Sequence, residues 1–285
     1  MINGSSVVPK TRCTGFTLVE AIVVIVITGI LAGMVAVFIK APVEGYVDSV
    51  RRAELTDAAD TAVRRIARDI RTALPNSFRF PTTPAAGTAC IEFLPTVGGG
   101  RYRTAPTVAG VSTGILDFSQ AINAFDVLAN SNLPASLAVA GTQHVVIYNL
   151  GFGYSGADAY AGDNRAQIRN NTATNTNITL TADKKFPHES PGKRFHVIPD
   201  NSVIYSCVGG ANGTIFRSTP IISPGALVSC PAAGSVLVSN VDCTNTSFQY
   251  SPISASSSLL AMTMTLTRSG ESVRIYHEVQ VSNVP

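Results

Sequence analysis

Charge is what this chain has least of. Charged residues make up 14% of its 285 positions, against roughly 25% in soluble globular proteins, while hydrophobic residues reach 45% and gather near the N-terminus. The first fifteen residues contain no acid, and the formal charge of +3 falls to +1 once Lys10 and Arg12 are set aside. A remainder so close to neutral gives no electrostatic basis for holding nucleic acid, and none is expected as a partner. Metal chemistry lacks its spacings too. No two of the five cysteines stand at C-x2-C spacing, the histidines at 144, 188, 196 and 277 form no H-E-x-x-H, and Asp158, Asp163 and Asp183 do not follow the EF-hand pattern. Ser190 and Lys193 do have S-x-x-K spacing, but Pro191 and Gly192 lie between them where a Ser–Lys pair wants the start of a helix, and no S-D-N or K-T-G accompanies them. A surface turn is expected there, with no catalytic residue, metal or cofactor anywhere in the chain.

What the chain has is one long apolar run. Ala21–Ile39 is nineteen residues without a charge, about 28 Å as a helix and so enough to cross a bilayer. Lys10 and Arg12 precede it and only Lys40 follows, which orients the short N-terminus to the cytoplasm and the rest across the membrane. A secretory signal peptide has a shorter apolar core and no acid at its head; this run carries Glu20. An intramembrane carboxylate costs on the order of 2.5–3.5 kcal/mol at mid-span, less near the end, and marks function. Cleavage between Gly15 and Phe16 would create an α-amino group four residues before Glu20. In a neighbouring copy or related subunit, that cation can approach the carboxylate laterally.

The segment GFTLVEAIVVIVI, Gly15–Ile27, resembles the processing and methylation signature of type IV prepilins and pseudopilins. The resemblance implies a leader of residues 1–15 removed by prepilin peptidase on the cytoplasmic side of the inner membrane, N-methylation of Phe16, and assembly with other pilin or pseudopilin subunits through the N-terminal helix, with Glu20 fifth in the mature chain. It implies no enzymatic activity.

Beyond the span, Leu55, Ala59, Ala62, Ile66, Ile70 and Leu74 recur at spacings of three and four, with arginines and acids on the other faces. The helix is therefore expected to run as a membrane segment over 16–40 and an amphipathic continuation over 41–75, stopped by Pro75. Asp60 and Arg64 stand at the favourable i,i+4 spacing. From residue 76 the texture changes to short runs between Gly, Pro, Asn and Ser. Strands are expected at Cys90–Leu94, Val145–Leu150, Val203–Val208, Thr214–Arg217, Val236–Val241, Ser247–Tyr250, Leu259–Thr267 and Ser272–Val281, the last two joined by a turn at 268–271. The polar stretch 155–194 lacks periodicity and is expected to be an exposed loop insertion. The fold class is α+β, a long N-terminal helix packed on an antiparallel sheet domain spanning 76–285. Four cysteines lie past the span. Of three possible connectivities, Cys207–Cys243 is favoured because each lies beside an expected strand, leaving Cys90 with Cys230.

A finer resemblance covers most of the chain. The blocks APVEGYVDSVRRAELTDAADTAVRRIARDIRTALPNS, RFHVIPDNSVIYSC, VSNVDC and GESVRIYHEVQVSNVP look like the MshO family of minor pilin-like biogenesis proteins from mannose-sensitive haemagglutinin pilus systems. This implies a minor subunit held first in the inner membrane with its C-terminal domain in the periplasm, then primed into a filament or seated at its tip. The rival readings are a J-type minor pseudopilin of type II secretion, a signal-anchored periplasmic enzyme, and an adhesin or DNA-uptake tip.

Overall fold

The computed structural model describes residues 15–106, 114–128, 142–169, 177–254 and 256–285. The leader up to Thr14, with Lys10, Arg12 and Cys13, lies outside the described residues. Two compact units emerge, one of residues up to Arg51 and one of Arg52–Pro285.

A single helix, α1 (Leu18–Arg71, 54 residues), contributes to both. In the first unit it is apolar, continues through Pro42 and leaves its side chains exposed. Charges return past Ile39 as helix-surface pairs, Lys40 with Glu44 at 3.8 Å and Arg51 with Asp48 at 2.9 Å. In the second unit, Leu55, Ala59, Ala62, Ile66 and Ile70 are buried, and Arg64 binds Asp60 at 2.6 Å on the outer side. The helix stops at Arg71, a turn short of the expected end. Thr72 N–H donates to Asp69 O at 3.0 Å in a tightened last turn, after which Leu74 N–H leaves the helix and donates to Leu94 O at 2.7 Å. Leu74 is still buried, in a small cluster with Leu94, Val146 and Tyr160.

The strands are β1 (Ala89–Phe93), β2 (Gly98–Arg101), β3 (Ile122–Asp126), β4 (Gln143–Ile147), β5 (Arg165–Gln167), β6 (Asn177–Lys184), β7 (Arg194–Pro199), β8 (Val203–Val208), β9 (Gly213–Ser218), β10 (Ser235–Val241), β11 (Ser247–Ser254), β12 (Ser257–Arg268) and β13 (Glu271–Ser282). A seven-stranded antiparallel sheet runs β1-β8-β9-β10-β12-β11, with β13 along the other side of β12. Its inner face, including Phe93, Tyr205, Ile215, Met262 and Met264, buries the α1 stripe. A second sheet, β2-β7-β4-β5, and the β3–β6 pair share another core around Phe125, Val145, Phe186 and Phe195. The β12–β13 hairpin keeps register over twelve pairs and turns between Arg268 and Glu271. Ser269 and Gly270 both have positive φ, 51° and 87°, the pattern of a turn whose twist matches its flanking strands.

All eight expected strands are present, with ends shifted by a few residues. Among the described residues of 155–194 the expected exposed loop is not, and 170–176 lie outside the described residues. That stretch holds β5, β6 and the first residue of β7, and it buries Asp158, Tyr160, Phe186 and Ser190. Its order comes from side chain-to-backbone bonds that leave no periodic trace. Asp158 accepts the N–H groups of Gly153 (2.9 Å), Tyr160 (2.8 Å) and Ala161 (3.3 Å), while the Tyr160 hydroxyl donates to Ser77 O at 2.9 Å.

Two disulfides close the second unit, Cys90–Cys230 and Cys207–Cys243. Cys207 and Cys243 lie in the helix–sheet core and bridge residues 36 apart in sequence. Replacing both with alanine should lower the unfolding free energy by about 2–4 kcal/mol, read as a lower urea midpoint; a midpoint unchanged from wild type would show that the bond does not constrain the unfolded chain.

Two half-buried histidines make stability depend on pH. Burial, then the Arg194 charge, pulls His196 down to about 4. Burial and Arg165 also lower His144, against the opposing pull of Asp200, whose carboxylate lies 2.8 Å away. Both imidazoles are neutral in the folded protein near pH 7 and regain an ordinary basicity when it unfolds. Their contribution is therefore complete above about pH 6.5 and lost as pH falls toward 4, up to about 3 kcal/mol for His196. Tm should fall across this window, and less steeply in His196→Gln; equal slopes would remove His196 as the cause.

Candidate functional site: the N-terminal junction and Glu20

Gly15, Phe16 and Thr17 precede α1 without helical structure, and all three are exposed. Thr17 caps the helix. Its Oγ1 accepts the Glu20 N–H at 3.3 Å and its carbonyl accepts the Ala21 N–H at 3.2 Å. Thr17-Leu-Val-Glu20 has the T-x-x-E spacing of a capping box, a helix-start signal that the sequence itself carries. Glu20 thereby sits in the first turn, where the helix dipole favours a negative charge. Its carboxylate has no ion pair or hydrogen bond among the described residues. The only hydroxyl of the run that follows, on Thr28, turns back onto the helix, donating to Val24 O at 2.7 Å and so leaving that stretch without a free donor. Gly29 and Gly33 open a small-residue face with nothing within 4 Å of where a Cβ would stand.

The junction is equally open. A Cβ on Gly15 would meet nothing within 4 Å, so the chain itself does not require glycine before Phe16. Cleavage there would place a new α-amino group one residue before the cap, beside the positive end of the helix and four residues from Glu20.

The remaining candidates resolve into structural roles. Ser190 is buried; its Oγ donates to Pro285 O at 3.0 Å and accepts the Arg194 N–H at 3.1 Å, while Lys193 pairs with Glu189. The Ser–Lys spacing thus brings no amine to the hydroxyl. Asp163 accepts the Gly156 N–H at 3.0 Å, and with Asp158 bound to three amides these acids order a loop. Among the described residues, no group of three His, Cys, Asp or Glu is placed to hold a metal ion. The largest buried ionic feature gave no sequence signal. Arg79 meets Glu92 at 2.7 Å, stacks over Tyr160 at 3.7 Å and donates to the Ser223 and Gly225 carbonyls.

Comparison with known proteins finds the prokaryotic N-terminal methylation motif at residues 10–36. No curated protein and no solved structure matches the chain. The motif is that of type IV pilin-like and pseudopilin-type proteins, and in this chain it is followed by a capped apolar helix and an antiparallel domain. The same motif implies processing by prepilin peptidase and assembly with other pilin subunits, and the apolar helix is consistent with membrane anchoring.

Mass spectrometry of the membrane-extracted protein should therefore find N-methylated Phe16 at its start. Gly15→Leu should accumulate uncut precursor with an unchanged domain, because none of the described residues lies within 4 Å of a Cβ at that position. An intact Met1, or a cut near Ala41, would sink the assignment.

Proposed function

We propose that this chain is a minor pilin-like subunit that assembles through its N-terminal helix into, or primes, a type IV pilus filament of the mannose-sensitive haemagglutinin type. The observation that carries this reading is Glu20, an unpartnered carboxylate in the first turn of a helix whose next nineteen residues bear no charge. An isolated protein gains nothing from such a group in hydrocarbon. In a bundle of processed helices, the new α-amino group of one subunit can meet the Glu20 carboxylate of another, and mutual neutralisation in a low dielectric favours the in-register neighbour. The sequence blocks described above support the finer choice of pilus. The two disulfides support an oxidising compartment for residues 52–285, hence an inner-membrane subunit with a periplasmic domain before assembly. Prepilin peptidase and other pilin-like subunits are the partners in this reading.

Glu20→Gln and Glu20→Ala separate charge from capping, since glutamine keeps the hydrogen-bonding reach of a capping-box residue without its charge. Both variants should reach wild-type membrane levels with the domain equally protease-resistant, and both should fall roughly tenfold or more in sheared filaments, as loss of about 1.4 kcal/mol or more requires. Full recovery of Glu20→Gln in filaments would show that charge pairing plays no part. A subunit absent from surface filaments in wild type, but cross-linking to a periplasmic secretion complex, would overturn the pilus assignment.

A further inference from the structure

Seven arginines of this chain are held by carboxylates, among them Arg52 by Glu271, Arg79 by Glu92 and Arg217 by Asp69. Three that are not held meet in one place. Arg71 ends α1, Arg101 ends β2 and Arg194 begins β7, and all three line an open cleft of about 580 Å³. None has an ion pair or side-chain hydrogen bond among the described residues, and no acid lines the cleft.

The arrangement runs against the rules of sheet stability. Arg101 and Arg194 are direct cross-strand partners in the β2–β7 register, and like charges placed opposite each other destabilise a sheet. Two residues along each strand, on the same face, Gly99 opposes His196. A Cβ on Gly99 would stand 2.8 Å from Phe195 O, so this position beside the arginines admits no side chain. Sequences that break a local rule without a compensating contact do so at functional sites.

We propose that the Arg71–Arg101–Arg194 cleft binds an acidic polysaccharide through its carboxylates. Guanidinium forks match planar carboxylates bidentately. The Thr72 and Thr96 hydroxyls line the same cleft, with their protons already given to the Asp69 and Thr72 carbonyls, and their lone pairs can accept from sugar hydroxyls. Nucleic acid fits less well, because no Phe, Tyr or Trp face is offered for a base to stack on: Phe195 turns into the core against Phe125 at 5.8 Å.

The test uses the full-length protein in detergent and fluorescein-labelled oligogalacturonate, read by anisotropy at low and high NaCl. Wild type should bind, more weakly as salt rises. Arg101→Gln and Arg194→Gln should each weaken binding about tenfold, and the triple Arg71→Gln/Arg101→Gln/Arg194→Gln variant should not bind, while Arg274→Gln, an exposed arginine on β13, should behave as wild type. Tm of the single variants should equal or exceed that of wild type, since a like-charge contact is relieved. No binding by wild type at low salt, a triple variant that binds normally, or a lowered Tm in Arg101→Gln and Arg194→Gln would each overturn the proposal. Tighter, arginine-dependent binding of a labelled oligothymidylate would also overturn it, in favour of nucleic acid.

Discussion

Burial of the α1 stripe from Leu55 to Ile70 against the seven-stranded sheet is the contact on which the domain depends. A sheet with one apolar face must cover it, and here the cover is the second half of a helix whose first half is mostly apolar. The sequence divides at Lys40. Before it, apolar residues occupy every face of the helix, as a lipid environment requires; after it, they retreat to one stripe and charges take the rest. One continuous element thus carries two compositions, and in the second Ile66 and Ile70 face the sheet.

The remainder of the domain is held by contacts of another kind. The Arg79–Glu92 pair sits almost without solvent, and a buried ion pair is a poor source of net stability unless its other hydrogen-bonding positions are filled. They are filled here by loop carbonyls at 223 and 225 and by the Tyr160 ring. Cys90–Cys230 ties the same loop to β1. Segments 140 to 146 residues apart are thereby fixed by polar and covalent contacts.

Legibility in the sequence followed periodicity. The α1 stripe, the alternating β12 and the 268–271 turn each repeat a simple spacing, and each was readable. The methylation motif within residues 10–36 was readable for a different reason, being rare chemistry at fixed offsets. What could not be read was order made by single contacts. Asp158 holding three amides, Tyr160 reaching Ser77 and the short strands β2 and β5 have no period to detect, and Gly98-Gly-Gly-Arg101 contradicts strand propensity outright. The arginine cleft was invisible because its members lie on elements brought together only by tertiary pairing.

The order in which the chain is made reverses the order in which its core is completed. Ile70 leaves the ribosome some 130 residues before Val203, and the strands that cover the α1 stripe, β8 through β13, come last, apart from β1. At roughly 5–20 residues per second, that stripe is synthesised about 7–26 s ahead of its cover. During that interval the most apolar surface of the domain is tethered directly to a membrane segment and lacks its partner strands. The domain is thus most exposed to aggregation and proteolysis in the interval before β8 through β13 are made.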